Sequence, residues 1–302
     1  MFGAGVAPRL AALTTDVGAD GGLAALACTN CGSPRVAAYC AACGEKQPSA
    51  QDYSLRGMLL DAFHELTSLD GRLVRSVVAL VSRPGLLTRE WFEGRRGRYV
   101  KPFSLFIMLN VAFFVIQPHT GLLSYQYAQY VRNSPARRAL AERRLGGANG
   151  ASAASAASVA RFNASLQDQK KTLLAFCIPV MALAMAVLYL GQGRLFAEHL
   201  VFAVHTYAFL LLFMGVAIPL LDMAIHAATV AGVGGFVWLS GDQGITVILA
   251  AVLGPYVYLS LRRVYGDGRL AAAVRAVIVF FLIGQLINVY HDVLFYTTLY
   301  SL

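Results

Sequence analysis

Four of the five cysteines fall at Cys28, Cys31, Cys40 and Cys43, spaced as C-x2-C, eight residues, C-x2-C, and each pair is followed by a glycine, Gly32 and Gly44. A two-residue gap lets both thiolates of a pair turn towards one ion. The glycine behind it can take the positive φ that closes such a knuckle without a Cβ clash. Four thiolates complete a closed tetrahedral shell, the structural rather than the catalytic zinc pattern. The eight-residue spacer is shorter than in many ribbons, yet leaves room for one hairpin with Ser33–Pro34 at its turn. A ribbon of about twenty residues buries little core, so metal binding would supply its folding free energy, on the order of 10 kcal/mol. Two disulfides, unrelated thiols or an iron–sulfur ligand set are the competing readings, and a cytoplasmic location disfavours the disulfides. The fifth cysteine, Cys177, lies inside an apolar run and reads as a packing residue.

A second group with chemical capacity is Glu198, His199 and His205. Glu198 and His205 are seven residues apart, hence on one helix face, with His199 about 100° further round. A carboxylate and an imidazole on one face could hold a metal, a haem or a proton. These three are the weak catalytic candidates. The plainer reading places Glu198 and His199 at a wet interface and lets His205 hydrogen-bond a neighbouring helix. His64 and Glu65 could approach Glu198, whereas His291–Asp292 should lie at the opposite end of the bundle. No Ser/His/Asp pattern, phosphate-cradling glycine loop or HExxH is present, so soluble-type hydrolase or nucleotide chemistry is unsupported.

A third group is basic and aromatic: Arg89, Trp91, Arg95, Arg96, Arg98, Tyr99 and Lys101, in LLTREWFEGRRGRYVKPF. Rings at headgroup level and arginines on anionic lipid make a membrane-surface element. Docking of a protein partner is the alternative. Few basic and aromatic residues interleave around the cysteines themselves, so nucleic-acid readout is disfavoured.

The elements that must position these groups are helices in lipid. The 302 residues are 57% hydrophobic and only 14% charged, where a soluble domain carries about a quarter charged residues. Net charge is +9, with arginines beside apolar runs, which points to anionic lipid. A crossing helix needs about 20 apolar residues. Five stretches come near this: 102–117, 172–190, 200–221, 244–261 and 274–290. Basic links at 95–101, 194 and 262–275 and the acidic link 222–243 place the N-terminus in the cytoplasm by the positive-inside rule. The long loop 118–171 opposes that rule with eight basic residues, although long loops translocate with less regard to charge. Its GGANGASAASAASVA tract reads as a flexible linker. The stretch 223–240 reads as interfacial, following a long third helix. Residues 1–27 read as a flexible leader without a signal-peptide core, 28–47 as the zinc ribbon, and 52–101 as amphipathic juxtamembrane helices ahead of the bundle at 102–302. Within 53–82 the apolar spacing predicts two helices broken at Asp70–Gly71.

Together these residues resemble a family of uncharacterised bacterial membrane proteins, a domain of unknown function with an N-terminal zinc ribbon. The resemblance rests on CTNCG and YCAACGEKQ, His64 with Asp70, the Arg83–Pro84–Gly85 turn, GRRGRYVKP at 94–102, EHLVFAVHTYAF at 198–209 and LRRVYG at 261–266. It spans residues 28–302 apart from the 118–171 loop. It implies a multi-pass protein of the bacterial inner membrane, and no activity. The fold class is therefore an all-α membrane protein with about five transmembrane helices, a zinc ribbon with structural Zn, and amphipathic juxtamembrane helices. The preferred function is a non-enzymatic accessory or scaffold, with membrane lipids and a protein at the ribbon as partners. A transporter or lipid-handling protein is the first alternative, and a metal- or haem-dependent membrane enzyme the second.

Overall fold

In a computed structural model, the fold is described for residues 26–35, 38–44, 71–120, 126–132, 134–145, 155–232, 235 and 237–302. The expected leader before residue 26, the first juxtamembrane helix with His64, Glu65 and Asp70, and the 146–154 part of the Gly/Ala/Ser tract lie outside them.

Helices dominate, as the composition demands. After a short antiparallel pair, β1 (Leu26–Ala27) and β2 (Pro34–Arg35), come α1 (Arg72–Ser82), α2 (Leu86–Phe92), α3 (Pro102–Thr120), α4 (Tyr127–Arg132) and α5 (Pro135–Leu145). Then follow α6 (Ala156–Leu188), α7 (Phe196–Leu212), a π-helical turn (Phe213–Ala217), α8 (Ile218–Val230), a 3-10 turn (Val237–Ser240), α9 (Asp242–Tyr265) and α10 (Arg269–Ser301).

The core is built around α7. Every residue from Glu198 to Leu211 is buried, which is what an all-round apolar helix requires. Helices α3 and α6 flank it, α10 packs on α6, and α9 packs on α10. Aromatic stacking of Phe209 on Tyr256, with ring centroids 3.7 Å apart, brings α9 back against α7. The short α2 wedges between α7 and α9.

Among the described residues, three helices are long and apolar enough to cross a membrane: Phe196–Val230, Gln243–Tyr265 and Arg269–Ser301. The expectation of five such spans is thereby corrected. The other two stretches form apolar helices, Pro102–Gln117 and Phe176–Leu188, that are shorter. The first is limited by its own sequence, since the run Pro102–Ile116 has only fifteen residues before Gln117.

Boundaries shift for physical reasons. The third helix runs on through Asp222 to Val230 instead of stopping before it. The π-helical turn carries the chain past Phe113, where a Cβ on Gly215 would stand 2.8 Å from the ring. Helices α6 and α10 each have 33 residues, about 50 Å of helix, well beyond a hydrocarbon core of about 30 Å. The excess lies at the start of α6, where Ser155 caps the helix by accepting from Ser158 N at 3.1 Å, and at the end of α10. These overhangs meet α4 and α5 in a second apolar core of Tyr130, Ala141, Phe162, Leu166 and Phe295. The described residues of the region expected as the 118–171 loop are therefore largely helical and packed. His291 and Asp292 hold it to α10, through Tyr130 OH at 3.1 Å and an ion pair to Arg137.

Candidate metal centre and the polar clasps of the bundle

The four sequence-identified cysteines converge. Their Sγ atoms all lie within 4.8 Å of one another, with Cys28 to Cys43 and Cys31 to Cys40 each at 3.7 Å. None of the four is joined in a disulfide. A tetrahedron with metal–sulfur bonds of ~2.3 Å has edges of about 3.8 Å, so the spacing suits one tetrahedral ion and is far from a disulfide bond of ~2.05 Å. Backbone geometry produces the convergence. Gly32 and Gly44 take φ of 77° and 72°, and their N–H groups donate to Cys28 O and Cys40 O at 2.8 Å. The first knuckle is itself the hairpin turn, because Cys28 N donates to Ser33 O at 2.9 Å and Ala27 pairs with Pro34. Ser33–Pro34, expected at the turn, stands instead at its end and in the second strand.

Two of the thiols, Cys28 and Cys31, are held below the ordinary thiol range. Hydrogen bonds from the Ser33 side chain and backbone hold the Cys31 thiol down to about 6. The Cys31 backbone N–H leads the interactions that lower Cys28. Cys28 and Cys40 are buried and Cys31 and Cys43 exposed. The centre is hooked to the helices through Thr29, whose Oγ1 donates to Gly94 O at 3.1 Å, on the turn that follows α2.

That turn holds the basic group. Arg95 donates to both oxygens of Glu90 at 2.6 Å and pairs with Glu93. Arg89 donates to Glu93 at 2.6 Å. Burial alone would raise the Glu93 carboxyl, but hydrogen bonds from Arg89 and Arg95 outweigh it and hold it below the ordinary carboxylate range. Trp91 and Tyr99, expected at the membrane surface, are buried in the main core, so their rings face the bundle. The cause is packing: α2 is gripped by α7 and α9, and Arg96 lies over the Trp91 ring at 4.2 Å. Arg98 is exposed and Lys101 half-buried.

Glu198, His199 and His205 do not form one site. Arg194 donates to Glu198 at 2.8 Å, and the carboxylate is almost fully buried. His199 Nδ1 is 2.9 Å from Tyr265 OH. Tyr265 stacks on Tyr189 at 3.9 Å, Tyr189 OH donates to Asp267 at 2.5 Å, and Arg275 pairs with Asp267 while covering the Tyr189 ring at 4.4 Å. This clasp joins the end of α6, the start of α7, the end of α9 and the start of α10. His205, two turns further along α7, turns to α2, where its Nδ1 is 2.8 Å from Thr88 Oγ1. The i,i+4 spacing of Arg194 and Glu198 was a readable signal. Tyr189, Tyr265 and Thr88 were not, because each meets its partner across the bundle, and Asp267 and Arg275, eight residues apart, meet Tyr189 there as well.

Comparison with known proteins adds little function. Residues 70–114, from just before α1 into α3, match a family model described as a protein of unknown function, DUF3667. Neither a curated protein nor a solved structure matches the chain.

Proposed function

We propose that this is a membrane-embedded accessory protein whose cysteine centre holds one structural zinc ion and presents a docking surface for a protein partner. The observation that carries the reading is the hook between ribbon and bundle. Thr29 meets Gly94 on a turn locked by Arg95, Glu90 and Glu93, while Cys31 and Cys43 remain on the outer side. A metal held this way stiffens a surface at the bundle end instead of activating a substrate. The pairing of Glu198 with Arg194, His199 with Tyr265 and His205 with Thr88 supports the same reading, since each polar group serves a helix contact. Arg194 and Arg275 belong to the clasp at the end of α9, and Arg263 donates to Pro84 O on the turn before α2; basic residues at these helix ends support a cytoplasmic orientation for that end. The resemblance to bacterial membrane proteins supports a cytoplasmic membrane as the location.

Metal stoichiometry with an optical spectrum, on the detergent-purified full chain, tests this. One zinc per chain, lost in Cys28→Ser with no visible absorption, is the expected result. A second metal, or a haem band removed by His199→Ala or His205→Ala, overturns it in favour of a membrane enzyme. Lipid handling is a second reading, favoured by an open, mostly apolar groove of about 610 Å³ beside the π-helical turn, lined by Ile116, Gly215, Pro219, Asp222, Met223 and His226.

A further inference from the structure

Helix α1 has a broad apolar face, only part of which is buried. One side, with Ser76, Ala79 and Leu80, is buried against α2 and α7. Ser76 joins α1 to the basic turn, its Oγ accepting from Val100 N at 2.8 Å. The opposite side carries Val74, Val78 and Val81, which are 67%, 57% and 50% exposed. At 100° per residue these three span an arc of about 60°, centred opposite the buried side, with no charged residue inside it. Arg75 and Ser82 come next around the helix, at about 100° and 80° from Val74. A water-facing helix of this amphipathicity would place charge where the valines stand.

We infer that α1 is an in-plane membrane-surface helix, with Val74, Val78 and Val81 inserted among lipid chains and Arg75 and Arg98 set against anionic headgroups. The inference rests on the membrane reading of the bundle and moves the lipid-contacting surface from the Trp91 and Tyr99 segment to α1. Three observations select lipid as the occupant. The valine stripe is continuous in kind with the exposed apolar faces of the candidate crossing helices, such as Val277 and Phe281 on α10. Helix α1 packs directly on α7, part of the longest of those helices. The charge beside it is positive: Arg75 and Arg98 line one groove with Arg95, whose own charge is met by Glu90 and Glu93. A narrow apolar face with arginines at its flank is the composition of helices that lie at the headgroup boundary.

The test places a reporter on the stripe of the full chain. Val78→Trp and, separately, Val277→Trp are reconstituted into phosphatidylcholine vesicles with and without phosphatidylglycerol. Emission beyond that of the parent protein is then quenched by brominated lipid or by acrylamide. The expected result is quenching of the Val78→Trp signal by brominated lipid, about twofold or more over the parent, with protection from acrylamide. Phosphatidylglycerol should deepen the lipid quenching, and Arg75→Gln with Arg98→Gln should remove that increment. Quenching by acrylamide but not lipid would mean a water-facing stripe and overturn the inference. Protection from both quenchers would mean that protein covers it, either residues 46–70 or a second copy, and also overturns it. The Val277→Trp control separates the two levels. If it is quenched by lipid and Val78→Trp is not, only α1 is misplaced; if neither is quenched by lipid, the membrane reading fails as well.

Discussion

Gly85→Ala should be among the most damaging small substitutions in this protein. Gly85 ends the Arg83–Pro84–Gly85 turn and starts α2, with φ of 75°. An alanine in this left-handed conformation costs about 1–2 kcal/mol. The second cost is steric. A Cβ at this position would stand 2.9 Å from Ser260 Cα and 3.0 Å from Ser260 O, both backbone atoms of α9. A helix backbone cannot turn aside as a side chain can, so the turn and α9 must separate, at an overpacking cost of about 1–3 kcal/mol. Separation also strains the bond from Arg263 Nη1 to Pro84 O, now 2.7 Å. The sum is about 2–5 kcal/mol. At ~2 °C per kcal/mol for a chain of this size, the midpoint should fall by about 4–10 °C. The assay is thermal unfolding in one fixed detergent. Two other glycines separate the contributions. Gly266 has φ of 72°, but a methyl group there would meet nothing within 4 Å, so Gly266→Ala should show the backbone cost alone. Gly284 is helical and equally open, so Gly284→Ala should be neutral or stabilising by up to ~1 kcal/mol. A Gly85→Ala midpoint no lower than that of Gly266→Ala would refute the close approach of the turn to α9.

Three further outcomes follow from the polar contacts. Glu198→Gln replaces the buried carboxylate that meets the half-buried Arg194 with a neutral amide, which should cost about 1.5–3 kcal/mol, read as a lowered thermal midpoint; an unchanged midpoint would mean that water already reaches the pair. Thr88→Val removes the partner 2.8 Å from His205 Nδ1 in a dry contact, for a loss of about 1–3 kcal/mol, whereas Thr88→Ser should recover most of it. The carboxyl of Glu93 is held below its ordinary value of 4.5, so its contribution is present above that value and is lost as pH falls through the depressed one. Glu93→Gln should therefore lower the midpoint near neutrality and narrow the gap between neutral and acidic midpoints; an unchanged gap would show that the pair with Arg95 contributes nothing.

What the sequence made legible was local. The cysteine cluster closes within sixteen residues, and its glycines fix the knuckles without help from the rest of the chain, so the convergence of its four cysteines could be read from spacing. The apolar runs were legible in the same way, as were the second juxtamembrane helix and the Arg83–Pro84–Gly85 stop. The extents of α6 and α10 were not. Their overhangs are helical because Phe162, Leu166 and Phe295 pack with α4 and α5, a cluster that the end of α10 joins from more than a hundred residues away.

Facing was the harder quantity, and lipid is the reason. In water an apolar face points inward, so Trp91 and the valines of α1 would carry the same message. In a bilayer the hydrophobic difference between core and surroundings vanishes, and apolar residues lose their power to tell inside from outside. Trp91 turned out buried and Val74, Val78 and Val81 exposed, though all look alike in composition. Polar residues keep that power, because hydrocarbon leaves them no partner. Ser76, Thr88, Ser104, Glu198, His199, His205 and Ser260 are each at most 4% exposed. The informative residues of α1 and α2 are therefore Ser76 and Thr88. They lie on the faces that meet the basic turn and α7, and they predict which side of each helix packs inward.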